Sequence, residues 1–376
     1  MTVVDSDAHV VETERTWDFI PASDQSLRPE IVMRPNDAGD QVPMWVIDGK
    51  VRGAVRQPIG KRDEWDPTRV STDMLKQQAS SGRNMATPDA SKHMLDVDAR
   101  LRHMDELGID IQMLYPTIFL RRLTDKPETR VAISQGYNRW LADIWEKSDG
   151  RLTWAAVLPL SEMDESLKEL EWARDHGACG VFMRGVEEEG VLYDPYFFPL
   201  YERMSQLNMA VTVHIGNGSP EMEAMLGRGK GGSPFSSMRI FSVAACHSWI
   251  LAGIPREFPG LRIGFVEAAA QWIPYMDNDL RRRFPGRFGR PAPENILKDN
   301  NVWVTCQTDD DIPYILRFAG EENLLIGTDY GHTDQSSEIE ALRIFRERGS
   351  VDPRIVDMIL GVNPLALYAI REPQPV

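Results

Sequence analysis

The sequence predicts an α/β fold: a single (β/α)8 TIM barrel with a cap segment inserted after its first strand. From about residue 96 onward, amphipathic helical stretches alternate with short apolar runs. Counting the N-terminal run, there are eight such strands, and most are apolar enough to be buried on both faces, as parallel strands are. A doubly wound sheet is the structural alternative, but it usually carries a glycine-rich first turn, and "DAHVVETE" has none. A chain of 376 residues is long enough for two or three domains, yet barrels with insertions reach this size as one.

The first strand is "VVDSDAHVV". A long segment, roughly residues 20–90, separates it from the rest, and within it two apolar runs around Asp48-Gly49 signal a hairpin. The helix "DVDARLRHMDELG" follows, with Val97, Leu101, Met104 and Leu107 at helical spacing and a terminal glycine. The pattern then repeats. Strand "IDIQMLYPT" is second; "LTWAAVLPL" precedes helix "ESLKELEWARDHG"; "CGVFMRG" precedes "PYFFPLYERMSQL"; "MAVTVHIG" precedes a long helix starting near Ser237. "LRIGFVEAA" pairs with "QWIPYMDNDLRRRF", "NVWVTCQT" with "DIPYILRFAG", and "LLIGTDYG" with "SSEIEALRIFRERG". The insertion and the irregular stretch after the fifth strand should both extend from the C-terminal ends of the strands, as cap and lid. In that stretch Gly229-Lys230-Gly231 is a poor phosphate loop: Ala224 replaces the leading glycine and no Ser or Thr follows the lysine. It reads as a mobile loop.

Composition narrows the function. Hydrophobic residues make up 42% and charged residues 26%, an ordinary globular balance. A net charge of −15 argues against nucleic acid or anionic lipid as partners. No apolar stretch is long enough for a membrane span and no leader pattern opens the chain, so a cytoplasmic location is expected. Cys179, Cys246 and Cys306 are far apart and odd in number, as reduced thiols are.

In a barrel of this kind chemistry sits at the C-terminal ends of the strands. Polar side chains there are few: Asp7 and His9 on the first strand, His214 on the fifth, Glu267 on the sixth and Asp329 on the eighth. Each alone has a structural reading. Together, Asp7, His9, His214 and Asp329 make two imidazoles and two carboxylates able to converge on one divalent ion. Arg184 ends the fourth strand and is a candidate fork for a substrate carboxylate, although Glu187, Glu188 and Glu189 beside it offer an ion pair. Cys306 reads as a small buried filler, Glu12 as a cap for the next element, and Asp309, Asp310 and Asp311 as acidic residues at a helix start. His93, His103, His176 and His247 fall away from strand ends and receive no chemistry.

The stretches "DSDAHVVE", "RLRHMDELGIDIQMLYPT", "FPGLRIGFVEAAAQWIPY", "LLIGTDYGH" and "ILGVNPLALY" resemble the amidohydrolase superfamily. Within it they are similar to the branch of 2-amino-3-carboxymuconate-6-semialdehyde decarboxylase and the aromatic-acid decarboxylases. The resemblance spans nearly the whole chain. It implies that Asp7 and His9 form the first-strand metal pair, that one divalent ion, Zn2+ or Mn2+, is the cofactor, and that the protein is a homodimer acting on a small carboxylate. Two positions depart from the family pattern. The muconate enzyme carries His-x-His on the first strand and some aromatic decarboxylases Glu-x-His or Glu-x-Ala, whereas this chain has Asp7-x-His9, a harder pair that favours manganese without excluding zinc. On the sixth strand Glu267 stands near the place of a histidine that assists water, either as a base of raised pKa or as a residue orienting His214 or His9. His332 resembles the histidine of the family's D-x-P-H stretch, with Gly331 in place of proline, and is expected to touch substrate or pair with Asp329 unless it is an ordinary loop histidine.

Two reactions follow from these residues. One is non-oxidative decarboxylation of a small aromatic or unsaturated carboxylic acid, with Asp329 protonating the carbon that loses CO2. The other is metal-dependent hydrolysis or hydration of a small cyclic or carbonyl substrate, with Asp329 or Glu267 taking the proton. A barrel that binds without turnover is disfavoured, because unpaired buried carboxylates are costly to keep.

Overall fold

The computed structural model describes residues 1–35, 39–56, 68–226 and 234–370. The segment Gly229-Lys230-Gly231 therefore lies outside the described residues. Eight parallel strands run in the order β1 (Val4–His9), β5 (Ile111–Tyr115), β6 (Leu152–Ala156), β7 (Ala178–Arg184), β8 (Ala210–His214), β9 (Ile263–Val266), β10 (Val302–Cys306) and β11 (Leu324–Ile326). Three further strands, β2 (Glu30–Pro35), β3 (Gln41–Ile47) and β4 (Lys50–Ala54), form a separate antiparallel sheet. The barrel strands are buried along almost their whole length. That burial is why their sequences are apolar runs rather than alternating patterns.

The last strand closes onto the first. His9 N donates to Tyr330 O at 2.9 Å and Asp329 N donates to Asp7 O at 2.8 Å, so the loop after β11 runs alongside the end of β1. Gly327 permits the approach: a Cβ there would lie 2.2 Å from the Asp7 Cβ. Beneath this seam Asp5 accepts from Thr328 N at 2.9 Å, Thr328 Oγ1 at 2.6 Å and Gln112 Nε2 at 2.8 Å. The buried Arg100 donates to Gln112 Oε1 at 2.6 Å and to His9 O at 3.3 Å, and lies 3.5 Å from the centre of the Tyr330 ring. Arg100 comes from the helix Val97–Leu107, which Asp96 caps through Ala99 N and which ends at Gly108 with φ 70°.

The small sheet belongs to the inserted segment. Its β3–β4 hairpin turns at Asp48 and Gly49, with φ 51° and 74°, the conformation expected of an Asp-Gly turn. The turn is tied to the loop that leaves β5 and to the helix Pro127–Lys147 after it: Asp48 accepts from Thr124 in the loop and Thr129 in the helix, and Lys50 Nζ lies 2.6 Å from Asp125. Asn84, beyond the helix Thr72–Ser81, bonds to Glu338 and Ile339 in the loop that leaves β11. These ties hold the insertion at the C-terminal end of the barrel. The final predicted helix is shorter than its pattern: residues 332–340 form turns and the helix covers Ala341–Glu347. No helix among the described residues is long and apolar enough to cross a membrane.

Gly327→Ala should force β11 away from β1 and cost about 3 kcal/mol, the upper part of the usual range for overpacking. Denaturant unfolding reads this directly. An unchanged midpoint would show that the seam can widen there without penalty.

Candidate metal centre

The end of β1 and the loop after β11 meet the end of β8 in one buried cluster. His9 and His214 face each other with their Nε2 atoms 3.0 Å apart. Behind them, His9 Nδ1 lies 3.0 Å from Pro116 O and His214 Nδ1 lies 3.0 Å from Ile215 O. A carbonyl only accepts, so both Nδ1 atoms carry the proton and both Nε2 lone pairs point at the same place. Two lone pairs at that distance repel unless a cation lies between them. Asp7 Oδ1 is 3.6 Å from His9 Nε2 and 3.4 Å from His214 Nε2, and Asp329 Oδ1 is 3.4 Å from His9 Nε2.

Glu267 approaches the same point. Its Oε2 lies 3.2 Å from His214 Nε2, both of its carboxyl oxygens are buried, and beyond that imidazole its side chain meets the Asp334 carboxyl. The backbone carbonyls of Pro116 and Ile215, not Glu267, orient the two imidazoles. Glu267 is on the lone-pair side, where a ligand or a base belongs. Glu267 and Asp329 both adopt positive φ, 64° and 51°. Such backbone strain is uncommon outside glycine and clusters at functional sites.

His332 stacks on His9, ring centres 3.7 Å apart, with its Nδ1 2.8 Å from Asp329 Oδ1 and its Nε2 3.0 Å from Thr117 Oγ1. The Thr117 hydroxyl donates to Val10 O at 2.7 Å, so toward His332 it accepts. Nε2 therefore carries a proton, and the Nδ1 to Oδ1 contact needs one more. Burial, then Asp334 and Asp7, raises the Asp329 carboxyl well above the ordinary range, while burial and then Arg56 bring His332 down to about 3. Both shifts place that proton on Asp329. Ser337 Oγ holds the other oxygen at 2.6 Å. Burial, then Asp329, Asp334 and Asp7, likewise raises Glu267. Burial and the neighbouring His332 and His214 lower His9.

A divalent cation fits this donor set. Asp7, His9 and His214 form one group of mutually close donor atoms, and His9, Glu267, Asp329 and His332 form another, sharing His9. Of the four residues predicted as ligands, all are brought to this cluster. Arg184 is not: its Nε and NH2 donate to Glu187 and its NH1 to Phe119 O, and it lines a different, smaller pocket. The acidic neighbour, not a substrate, satisfies that fork. Glu12 caps the turn Ile118–Leu120 through the backbone N–H groups of Thr117 and Ile118, rather than the element that follows it in sequence. Cys306 is buried, and burial pushes its thiol well up. It is a filler.

Above the cluster opens a cavity of about 810 Å3 whose lining includes Glu267, His332 and Asp334 together with Arg52, Arg56, Arg121 and Arg239. Sequence reasoning missed these arginines, because they lie in the insertion and in irregular segments where no periodicity marks them. Thr117 had a signal: it ends the second barrel strand, the same rule that found the others.

A family model described as amidohydrolase matches residues 4–370. The chain belongs to that amidohydrolase family. It is 23% identical over 288 residues to 2-amino-3-carboxymuconate-6-semialdehyde decarboxylase of Dictyostelium discoideum, covering 73% of this chain and 77% of that protein. An amidohydrolase from Mycobacterium avium subsp. paratuberculosis K-10 superposes with a TM-score of 0.75 at 19% identity, covering 99% of this chain and 98% of the other. A 5-carboxyvanillate decarboxylase from Novosphingobium aromaticivorans, solved with manganese and 4-hydroxy-3-methoxy-5-nitrobenzoic acid, gives 0.64 at 17% identity, covering 98% and 96%. At these identities the structural likeness shows the shared barrel.

Two outcomes follow from the electrostatics. With Asp329 and Glu267 raised in the folded protein, folding takes up protons above the ordinary carboxylate pKa near 4. The contribution of these two carboxyls to the stability of metal-free protein should therefore be fullest at or below that value and be lost as pH rises through the raised pKa values. The lowered His9 and His332 act oppositely and cost stability as pH falls below about 6.5, which His332→Gln separates from the carboxyl effect. A divalent ion reverses the preference for the neutral forms, so metal uptake at pH 7 should release protons, measurable by calorimetry in buffers of different ionisation heat. Uptake without proton release would place the ion elsewhere. His214→Ala should lose most of its metal on elemental analysis, and full retention would remove His214 from the ligand set.

Proposed function

We propose that this protein is a divalent-metal-dependent, non-oxidative decarboxylase of an aromatic or unsaturated carboxylic acid. The observation that carries the reading is the pairing of a cation-demanding cluster with a cavity lined by four arginines. Such a cavity suits an anionic substrate. The sequence likeness to a decarboxylase adds support. Asp7, His9, His214, Asp329 and Glu267 would hold the ion, and the mixed oxygen and nitrogen set suits Mn2+ or Zn2+, with the carboxylates favouring manganese. When bound, the ion supplies a positive centre that draws electron density toward a substrate oxygen beside the reacting carbon.

The chain's own groups account for the rest. Arginines of the cavity hold and orient the acid. Cleavage of the carbon–carboxyl bond releases CO2 and leaves its electron pair on carbon, which then takes a proton. Asp329 is placed to deliver it. Ser337 fixes one Asp329 oxygen and His332 Nδ1 lies 2.8 Å from the other. Beside the ion Asp329 would rest as a carboxylate, so it would first collect a proton from a substrate hydroxyl or from water and then pass it to the carbon. His332 lines the cavity and, stacked on His9 and 2.8 Å from Asp329, would hold that carboxyl in position. The same donors would also serve hydration or hydrolysis, so product analysis must accompany any rate.

CO2 release from a panel of hydroxy- and aminobenzoic and larger aromatic acids tests the reading. A hydrated or hydrolysed product without CO2 would replace it by the second reaction. Asp329→Asn should lower kcat on the order of 10²-fold or more, as loss of a positioned acid does. A variant that keeps both its metal and near-normal turnover would make Asp329 a ligand only and pass the proton role to Glu267 or His332.

A further inference from the structure

The cavity carries information about the size and shape of what it accepts. Its volume of about 810 Å3 lies in the upper part of the ~300–1,000 Å3 range of pockets that enclose drug-sized ligands. A single-ring acid would leave most of it to water. Beside its arginines and carboxyls the cavity has an apolar portion. Trp45 and Met85, both nearly fully buried, come from the insertion, and Ile118, Leu120 and Ile215 follow the ends of β5 and β8. Phe235 and Met238 come from a π-helical turn spanning Phe235–Arg239, which also turns Arg239 to the cavity. Turns of that kind are rare and occur frequently at functional sites.

Phe235 is the informative residue. It is 62% exposed, a large aromatic left in water in the lining of the same cavity that Glu267 and His332 enter. Flat aromatic walls favour flat partners through stacking and edge contacts, and methionines such as Met85 and Met238 adapt to irregular outlines.

We propose that the substrate of this site is a two-ring aromatic acid, fused or linked, rather than a single-ring one. Its carboxylated ring lies over the cluster within reach of the arginines. Its second ring packs against Phe235, Met238 and the wall that includes Trp45. The inference rests on the functional reading above for the carboxylate, while the second ring rests on the apolar walls alone.

Binding and chemistry are measured separately on the metal-loaded full chain. Calorimetry compares hydroxynaphthoic and hydroxybiphenyl carboxylic acids with hydroxybenzoic acids, and CO2 release is followed with the same compounds. The two-ring acids should bind about tenfold or more tightly, the order expected when one aromatic ring gains a packed partner. Phe235→Ala, at an exposed position where folding is not at stake, should bring the two-ring acids down to single-ring affinity. Equal affinity for both classes, a Phe235→Ala loss shared equally by both, or no binding of any two-ring acid at millimolar concentration would each overturn the inference. Tight two-ring binding without CO2 release would leave it standing and remove the decarboxylase reading. Decarboxylation confined to tighter-binding single-ring acids would do the reverse.

Discussion

The site depends on one seam. Backbone bonds from the loop after β11 to Asp7 and His9 close the barrel, and they also set Asp329 and His332 beside the β1 ligands. Parallel strands alone would deliver His9 and His214 at strand ends several strands apart. It is closure of the cylinder that turns strand ends into a shared space. The network Arg100, Gln112, Asp5 and Thr328 secures that closure from below. Asp5 is fully buried even so, and that burial pushes its carboxyl up to about 6.

The cluster above the seam is poorly satisfied by the protein alone. Two imidazole lone pairs meet, and the buried Glu267 carboxyl faces the carboxyls of Asp329 and Asp334. Protonation relieves part of this, as the raised Asp329 and Glu267 show. Protons remove charge, but they leave the opposed lone pairs of His9 and His214 unresolved. A small dication answers both problems at once. The positive φ of Glu267 and Asp329 points the same way, since backbone strain persists only where surrounding structure holds it.

Much of the fold was legible because a buried parallel barrel writes itself as repeated apolar runs between amphipathic helices. Strand-end polarity then led to Asp7, His9, His214, Glu267 and Asp329. What escaped was decided by contacts between residues far apart in sequence. Arg184 looked available because a strand-end arginine is ambiguous until its partner is known, and Glu187 takes it. The arginines of the cavity arrive from loops and the insertion, where side-chain direction follows no period. Asp5 sat in plain view within "VDSDAH". Only the closed barrel, bringing Thr328 and Gln112 to it, separates its structural role from that of Asp7 two residues later.

Thr117 shows how a neutral residue can govern a charged site. Its single hydroxyl hydrogen goes to Val10 O, on the segment that continues β1, so its oxygen can only accept from His332. That choice turns the Nδ1 lone pair of His332 toward Asp329, where the buried carboxyl keeps its proton. Glu12 completes the arrangement by holding the backbone of Thr117 and Ile118 in place. The direction in which the proton is shared is thus fixed by the meeting of β1, β5 and the loop after β11. Stability and proton placement rest on the same few residues, and for that reason a change at the seam should be felt first in the chemistry.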